Sequence, residues 1–264
     1  MFNYLLCLVG FPASGKSTFA RKFKEKIEQK FEDVRVKIID PDLIRESITR
    51  GEFNHKKEKL VRKKKIKLIK KALRNGEIVI SDDLNYYSSM RHELMEIAEN
   101  TKRGFFIIHI ATPIEVCLKW NEERGKKIPN EVIHNVSNKF DDFNRYGWDK
   151  PIDIVDLSKI SNLSLKIEEI VDDISNEMNK EFLSIGTGLD SKQHSNPNNE
   201  RLERISRKYV GNLLKIPEYR QIKDKILELR KQFVMENLNK SLSKSEISRA
   251  LNAYFENRLN VSPS

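Results

Sequence analysis

The sequence predicts an α/β fold, a doubly wound parallel sheet followed by a small all-helical C-terminal domain, and three observations predict it. Five short segments rich in β-branched and aromatic residues alternate with longer amphipathic stretches. A Gly-Phe-Pro-Ala-Ser-Gly-Lys-Ser loop spanning residues 10 to 17 stands directly behind the first of those segments. The last quarter of the chain carries apolar residues at helical spacing and no strand pattern.

Strands are expected at Asn3 to Val9, Val34 to Ile39, Glu77 to Ser81, Phe105 to Ile110 and Ile154 to Leu157. Each is a short apolar run of the kind that a parallel sheet buries on both faces. Ser17 to Phe31 and Ser88 to Asn100 read as helices between them, which suggests right-handed crossovers. This domain is expected over residues 1 to 183. Residues 184 to 200 hold too few large apolar side chains to bury and are expected to form a flexible linker. Helical spacing returns in a domain at 201 to 264, through Ile222, Ile226, Leu229 and Phe233 and then Ile247, Leu251, Tyr254 and Phe255. Ser243 with Glu246 three residues later has the capping-box form that opens the last helix.

The 264 residues carry a formal charge of +10, and the helical tail concentrates it, with 14 Lys and Arg against 7 Asp and Glu from Arg201 onward. Such a module reads as a nucleic-acid docking unit or as a merely soluble helical cap. A second basic run, Lys56 to Arg74, has eleven basic residues and a single acid, Glu58. Its Val61, Leu68, Ile69 and Ala72 can face the sheet, leaving a positive stripe that is either solvated or laid against a nucleic-acid backbone. Cys7 and Cys117 have no second thiol near them in sequence and read as core residues. The apolar run Tyr4 to Val9 is too short for a membrane span, so the expected compartment is the cytoplasm.

Gly10, Gly15, Lys16 and Ser17 match G-x-x-x-x-G-K-S, a turn whose successive amides point at phosphate oxygens ahead of a helix N-terminus. Gly10, Phe11, Pro12, Ala13, Ser14, Gly15, Lys16, Ser17 and Thr18 are therefore expected to cradle the phosphates of ATP, with Lys16 reaching the β and γ groups. Ser17 is expected on Mg²⁺, and Asp82, the first acid after Ile78-Val79-Ile80-Ser81, supplies the second carboxylate that such a metal needs. Asp42, in Asp40-Pro41-Asp42-Leu43-Ile44-Arg45 behind the second strand, reads either as acceptor for the proton of an attacking hydroxyl or as a helix N-cap. Arg45 lies three residues on, where it can orient Asp42 or offset phosphate charge. Arg124 is the candidate lid cation, or an exposed arginine where Gly125 stops a helix.

Taken together, the loop, Asp42-Leu43-Ile44-Arg45-Glu46-Ser47, Asp82-Asp83-Leu84-Asn85-Tyr86-Tyr87 and Glu123-Arg124-Gly125-Lys126-Lys127-Ile128-Pro129 resemble the archaeal O-phosphoseryl-tRNA(Sec) kinase family. The resemblance implies a P-loop kinase domain joined to a helical tRNA-binding domain, with seryl-tRNA(Sec) as substrate in selenocysteine synthesis. With such a substrate the seryl hydroxyl is expected to attack ATP with Asp42 as base or orienting acceptor, Lys16 and Arg124 stabilising charge and Arg45 assisting. The same segments resemble the Kti12-like ATPases, which bind tRNA. The kinase family's lid carries Arg-x-x-x-Arg, and here Trp120 holds the first arginine's place, next to Lys119. Either Lys119 supplies that charge or the first arginine is dispensable, and Trp120 either stacks on adenine or packs in the core. Two other readings stand beside the kinase: a small-molecule P-loop kinase and a tRNA-binding regulatory ATPase. The oligomeric state is open, a homodimer included.

Overall fold

Seven residues with no exposed side chain, Tyr4–Gly10, form β1 at the centre of a parallel sheet. The other strands are β2 (Val36–Ile39), β3 (Ile78–Ser81), β4 (Gly104–Ile110) and β5 (Asp153–Val155), and their order is β2-β3-β1-β4-β5. In register, Leu6 faces Ile80 on one side and Phe106 on the other. Period-two alternation sends Tyr4, Leu6 and Leu8 into one core and Leu5, Cys7 and Val9 into the second. Because both faces are covered, the strand reads as one continuous apolar run. The computed structural model describes residues 3–49, 55–143, 146–187, 197–238 and 240–259.

The first core is closed by α1 (Lys16–Lys30) and α7 (Leu163–Thr187), through Phe19, Phe23 and Ile27 of the former and Ile167, Ile170 and Ile174 of the latter. Phe19, Phe23 and Ile27 recur every fourth residue and are fully buried, so truncating Phe23 to Ala would cost about 3–5 kcal/mol. The opposite face packs on α2 (Pro41–Thr49), α3 (His55–Arg74) and α4 (Ser88–Asn100). The expected inward positions of α3 hold, with Val61, Ile69 and Ala72 buried and Leu68 partly so. Between β4 and β5 run α5 (Ile114–Glu123) and α6 (Asn130–Asn138). Since all strands run in parallel, the loops after β1, β2, β3 and β4 leave at one edge of the sheet, where open α/β sheets bind their ligands.

The chain divides into two units, the first taking residues 1–144 and 149–191 and the second residues 145–148 and 192–264. Within the second, α8 (Pro197–Leu213), α9 (Pro217–Gln221), α10 (Lys223–Asn237) and α11 (Lys244–Leu259) enclose Leu202, Ile226, Phe233, Leu251 and Phe255. The expected capping box at α11 is present: Glu246 Oε2 accepts from the Ser243 amide at 2.7 Å and Ser243 Oγ accepts from the Glu246 amide at 3.3 Å.

Two expectations need correction. The linker expected over 184–200 is helical at both ends, because α7 runs on to Thr187 and α8 begins at Pro197, a favoured first helical residue; residues 188–196 lie outside the described residues. The helical unit also draws on the middle of the chain, since Tyr146 belongs to its core and stacks on Trp148 at 5.5 Å. The Tyr146 hydroxyl donates to buried Glu203, which also pairs with Arg207 at 2.9 Å and with Arg230. Cys7 and Cys117 are buried free thiols, as expected. Among the described residues no helix is long and apolar enough to cross a membrane.

Candidate active site

The loop from Gly10 to Ser17 leaves the carboxyl end of β1 and opens α1. A Cβ at Gly10 would stand 2.5 Å from the Ile110 carbonyl oxygen, so the neighbouring strand admits only glycine there. At Gly15, φ is +93° and a Cβ would meet Leu157 Cδ1 at 2.6 Å. Ala13 is held at φ 63°, a left-handed conformation unusual for a residue with a side chain. The Thr112 hydroxyl donates to the Ser14 carbonyl at 2.9 Å, tying the loop to the end of β4.

Lys16 is buried inside this loop, its ammonium donating to the carbonyls of Phe11 (2.6 Å) and Gly10 (3.1 Å). Burial pulls its pKa down to about 8, against the opposing pull of Asp82 and Asp83. The Ser17 hydroxyl lies near the Asp82 carboxylate, which is itself buried at the end of β3. Burial raises the Asp82 pKa, the Ser17 hydroxyl and the charge of Lys16 lower it, and Asp40 and Asp83 push it up again. Asp82, picked from the end of the third strand, thus lies beside Lys16 and Ser17 of the phosphate loop.

Asp42 is not the cap of α2. That role belongs to Asp40, whose Oδ1 accepts the Asp42 amide at 2.7 Å immediately ahead of Pro41 at the first helical position. Asp42 sits inside the first turn with its carboxylate exposed, paired with Arg45 Nη1. Arg45 is in turn gripped by Glu58 of α3, at 2.8 Å to Oε1 and 3.2 Å to Oε2. Asp40, half-buried with a pKa raised by burial, is in electrostatic reach of Asp83 and Asp82. Asp40 ahead of Pro41 thus holds the cap position that the sequence reading offered to Asp42.

Sequence reasoning also missed what holds the far wall. Asp83 pairs with Lys65, a buried lysine of α3, at 2.6 Å. Asn85 Nδ2 donates to the Leu8 carbonyl at 2.7 Å, and the Gly10 amide donates back to Leu84 O at 3.3 Å. Behind this strap lies Arg91, fully buried: Nε and Nη2 meet the two Asp149 oxygens at 2.6 Å each. Its remaining donors reach the carbonyls of Asn85, Tyr86 and Asp141 at 3.0–3.1 Å. Removing Arg91 would take a bidentate partner from the buried Asp149 carboxylate, at about 3–5 kcal/mol.

The KTI12 family profile, described as chromatin associated protein KTI12, matches residues 4–256. This chain belongs to the KTI12 family. It is 36% identical over 232 residues to the L-seryl-tRNA(Sec) kinase of Methanococcus maripaludis, covering 87% of this chain and 88% of that one. To protein kti12 of Schizosaccharomyces pombe it is 29% identical over 157 residues, 56% of this chain and 55% of the other. The Chaetomium thermophilum Kti12 crystal structure with ADP-AlF3 superposes with a TM-score of 0.52 at 22% identity, over 64% of this chain and 98% of that one, which establishes the shared P-loop fold.

In this KTI12-family chain the segment expected to form a lid is the last turn of α5 and the loop to α6. Arg124 is exposed at the C-cap of α5, leaning on Asn121 Oδ1 at 3.3–3.4 Å, and its charge is felt at Lys16. Asn121 is fully buried and also donates to the Ile128 carbonyl at 2.6 Å, so one side chain ties the loop together. Trp120, half-buried, lies 3.6 Å from where a Gly15 side chain would begin, beside the phosphate loop. Lys119 points outward to Glu123 at 3.9 Å.

Proposed function

We propose that this chain is an ATP-dependent kinase that phosphorylates the seryl hydroxyl of Ser-tRNA(Sec) to give O-phosphoseryl-tRNA(Sec), a cytoplasmic step toward selenocysteine. The observation that carries the reading is the length of the match to the M. maripaludis kinase. It takes in 87% of this chain, more than the catalytic unit alone supplies, so it reaches into the helical unit as well.

The chain's own residues support the chemistry as follows. Lys16 turns its ammonium from the loop carbonyls to the incoming phosphates, an exchange of acceptors at one fixed position. Asp42, held through Oδ1 by Arg45, accepts the seryl proton at Oδ2 as the hydroxyl oxygen bonds to the γ-phosphorus and ADP departs. Arg124 closes on the transferring group from the lid.

Ser17 and Asp82 fit a hard divalent cation: a hydroxyl beside a buried carboxylate, with Asp40 and Asp83 adding negative charge. Mg²⁺ keeps several waters and takes phosphate oxygens, so one hydroxyl and one carboxylate from the protein suffice to hold it. When bound there, Mg²⁺ supplies Lewis-acid stabilisation of phosphoryl charge. The basic helical unit is assigned the tRNA body.

Incubation with Mg²⁺, γ-labelled ATP and Ser-tRNA(Sec), beside Ser-tRNA(Ser) and free serine, tests the reading. Label retained on Ser-tRNA(Sec) alone is the expected result. The match of the KTI12 profile to residues 4–256 favours a second reading, a tRNA-binding regulatory ATPase; ATP turnover and tRNA binding with no stable label would move the assignment there.

A further inference from the structure

The proposed reaction leaves the basic helix α3 unused except at Glu58 and Lys65. Lys59, Lys63, Lys67, Lys70, Lys71 and Arg74 fall within about 120° of its circumference, opposite buried Val61, Lys65, Ile69 and Ala72. All six but the half-buried Lys70 are exposed, and among the described residues none has an acidic partner. The column extends for about 22 Å along the helix.

Like charges spaced four apart on a helix repel, so such a face is unfavourable without an anion. A lysine-rich chain that merely solvates its surface would mix acids into it, and this one does so elsewhere. On α1, Lys24 pairs with Glu28 at 3.6 Å, Lys26 with Glu168 at 2.6 Å and Lys30 with Asp172 at 2.5 Å. The α3 face has no counterpart to these acids. Its position also matters: Glu58 grips Arg45 and Lys65 grips Asp83, so the N-terminal half of α3 borders the candidate active site and the column leads away from it.

We infer that the outer face of α3 is an RNA-backbone track on the catalytic unit, which holds the sugar-phosphate chain of the substrate on its way to the phosphate loop. The inference rests on the reading of the substrate as a tRNA. It adds a contact surface separate from the helical unit, sequence-tolerant and strongly salt-dependent.

The test uses the full chain and unacylated tRNA(Sec) transcript, with no ATP, and measures Kd from 0.05 to 0.3 M KCl. Lys63→Gln, Lys67→Gln and Lys71→Gln are combined in one variant; Lys24→Gln, Lys26→Gln and Lys30→Gln form a charge-matched control. The α3 variant is expected to bind roughly 10- to 100-fold more weakly at about 0.1 M salt, with a log–log salt slope shallower by about two. The control is expected to keep wild-type affinity and slope. Arginine at the three α3 positions should restore binding, which separates charge from folding. Equal losses in both variants, or an α3 variant indistinguishable from wild type, would overturn the inference. So would a wild-type chain that ignores RNA yet binds phosphatidylserine vesicles. Because no phosphoryl transfer is measured, tight binding without kinase activity would remove the proposed reaction and leave the track standing.

Discussion

The two halves of the candidate site are built on opposite principles. On the phosphate side, Lys16 and Asp82 are only 7% and 6% exposed, and burial is the largest cause of both pKa shifts. On the acceptor side, the Asp42 carboxylate is 81% exposed and is held by a relay of ion pairs through Arg45 to Glu58. The first half derives its strength from a poorly solvated setting in which each charge acts at full effect, so it is sensitive to pH and to single deletions. The second is placed by side-chain pairing in water, where each pair contributes little to stability and position is what it provides.

The largest expected effect lies on the phosphate side. Lys16→Met should lower kcat/KM for ATP by roughly 10²- to 10³-fold, since one preorganised charge on the transferring group is lost. A loss under tenfold in steady-state assays would mean that burial does not set that half apart. Asp42→Asn comes next, with kcat reduced about 10²-fold while the KM for ATP holds. Arg45→Met should give about a tenth of that loss, because it only positions Asp42; equal losses would make Arg45 a direct participant.

Asp82→Asn should raise the Mg²⁺ concentration at half-maximal activity by roughly 10- to 100-fold, and an unchanged metal titration would remove Asp82 from the metal site. The pH profile is the gentlest probe. Lys16 binds phosphate in its charged form, which predominates below its pKa of about 8. In the free enzyme kcat/KM for ATP should therefore decline above about pH 8, approaching tenfold per unit. On the acid side Asp82 must be ionised, and burial shifts that limb upward. A profile flat across pH 7 to 9.5 would contradict the burial argument for Lys16.

Local chemistry made much of this legible. Short two-faced apolar runs placed all five strands within two residues at every boundary, and the glycine spacing placed the phosphate loop, because both are dictated by neighbours along the chain. The capping box at Ser243 and Glu246 was readable for the same reason. Even Asp40 was within reach, since an aspartate ahead of a proline is a helix-start signal that needs no tertiary knowledge.

The remainder belongs to the tertiary structure. Nothing near Arg91 in sequence announces Asp149, 58 residues away, yet their buried pair underlies the Asn85–Tyr86 strap. Lys65 is one of eleven basic residues in its run, and only the packing of α3 on the sheet turns it inward to Asp83. Tyr146 and Trp148 join the helical unit from the middle of the chain, a choice made by the fit of aromatic surfaces. The sequence alone determined the sheet, the phosphate loop and the identity of its chief charges, because backbone geometry and periodic burial act over a few residues. Which charges are buried, and which partners hold them, was decided only when distant segments met, since desolvation and pairing depend on what lies across space.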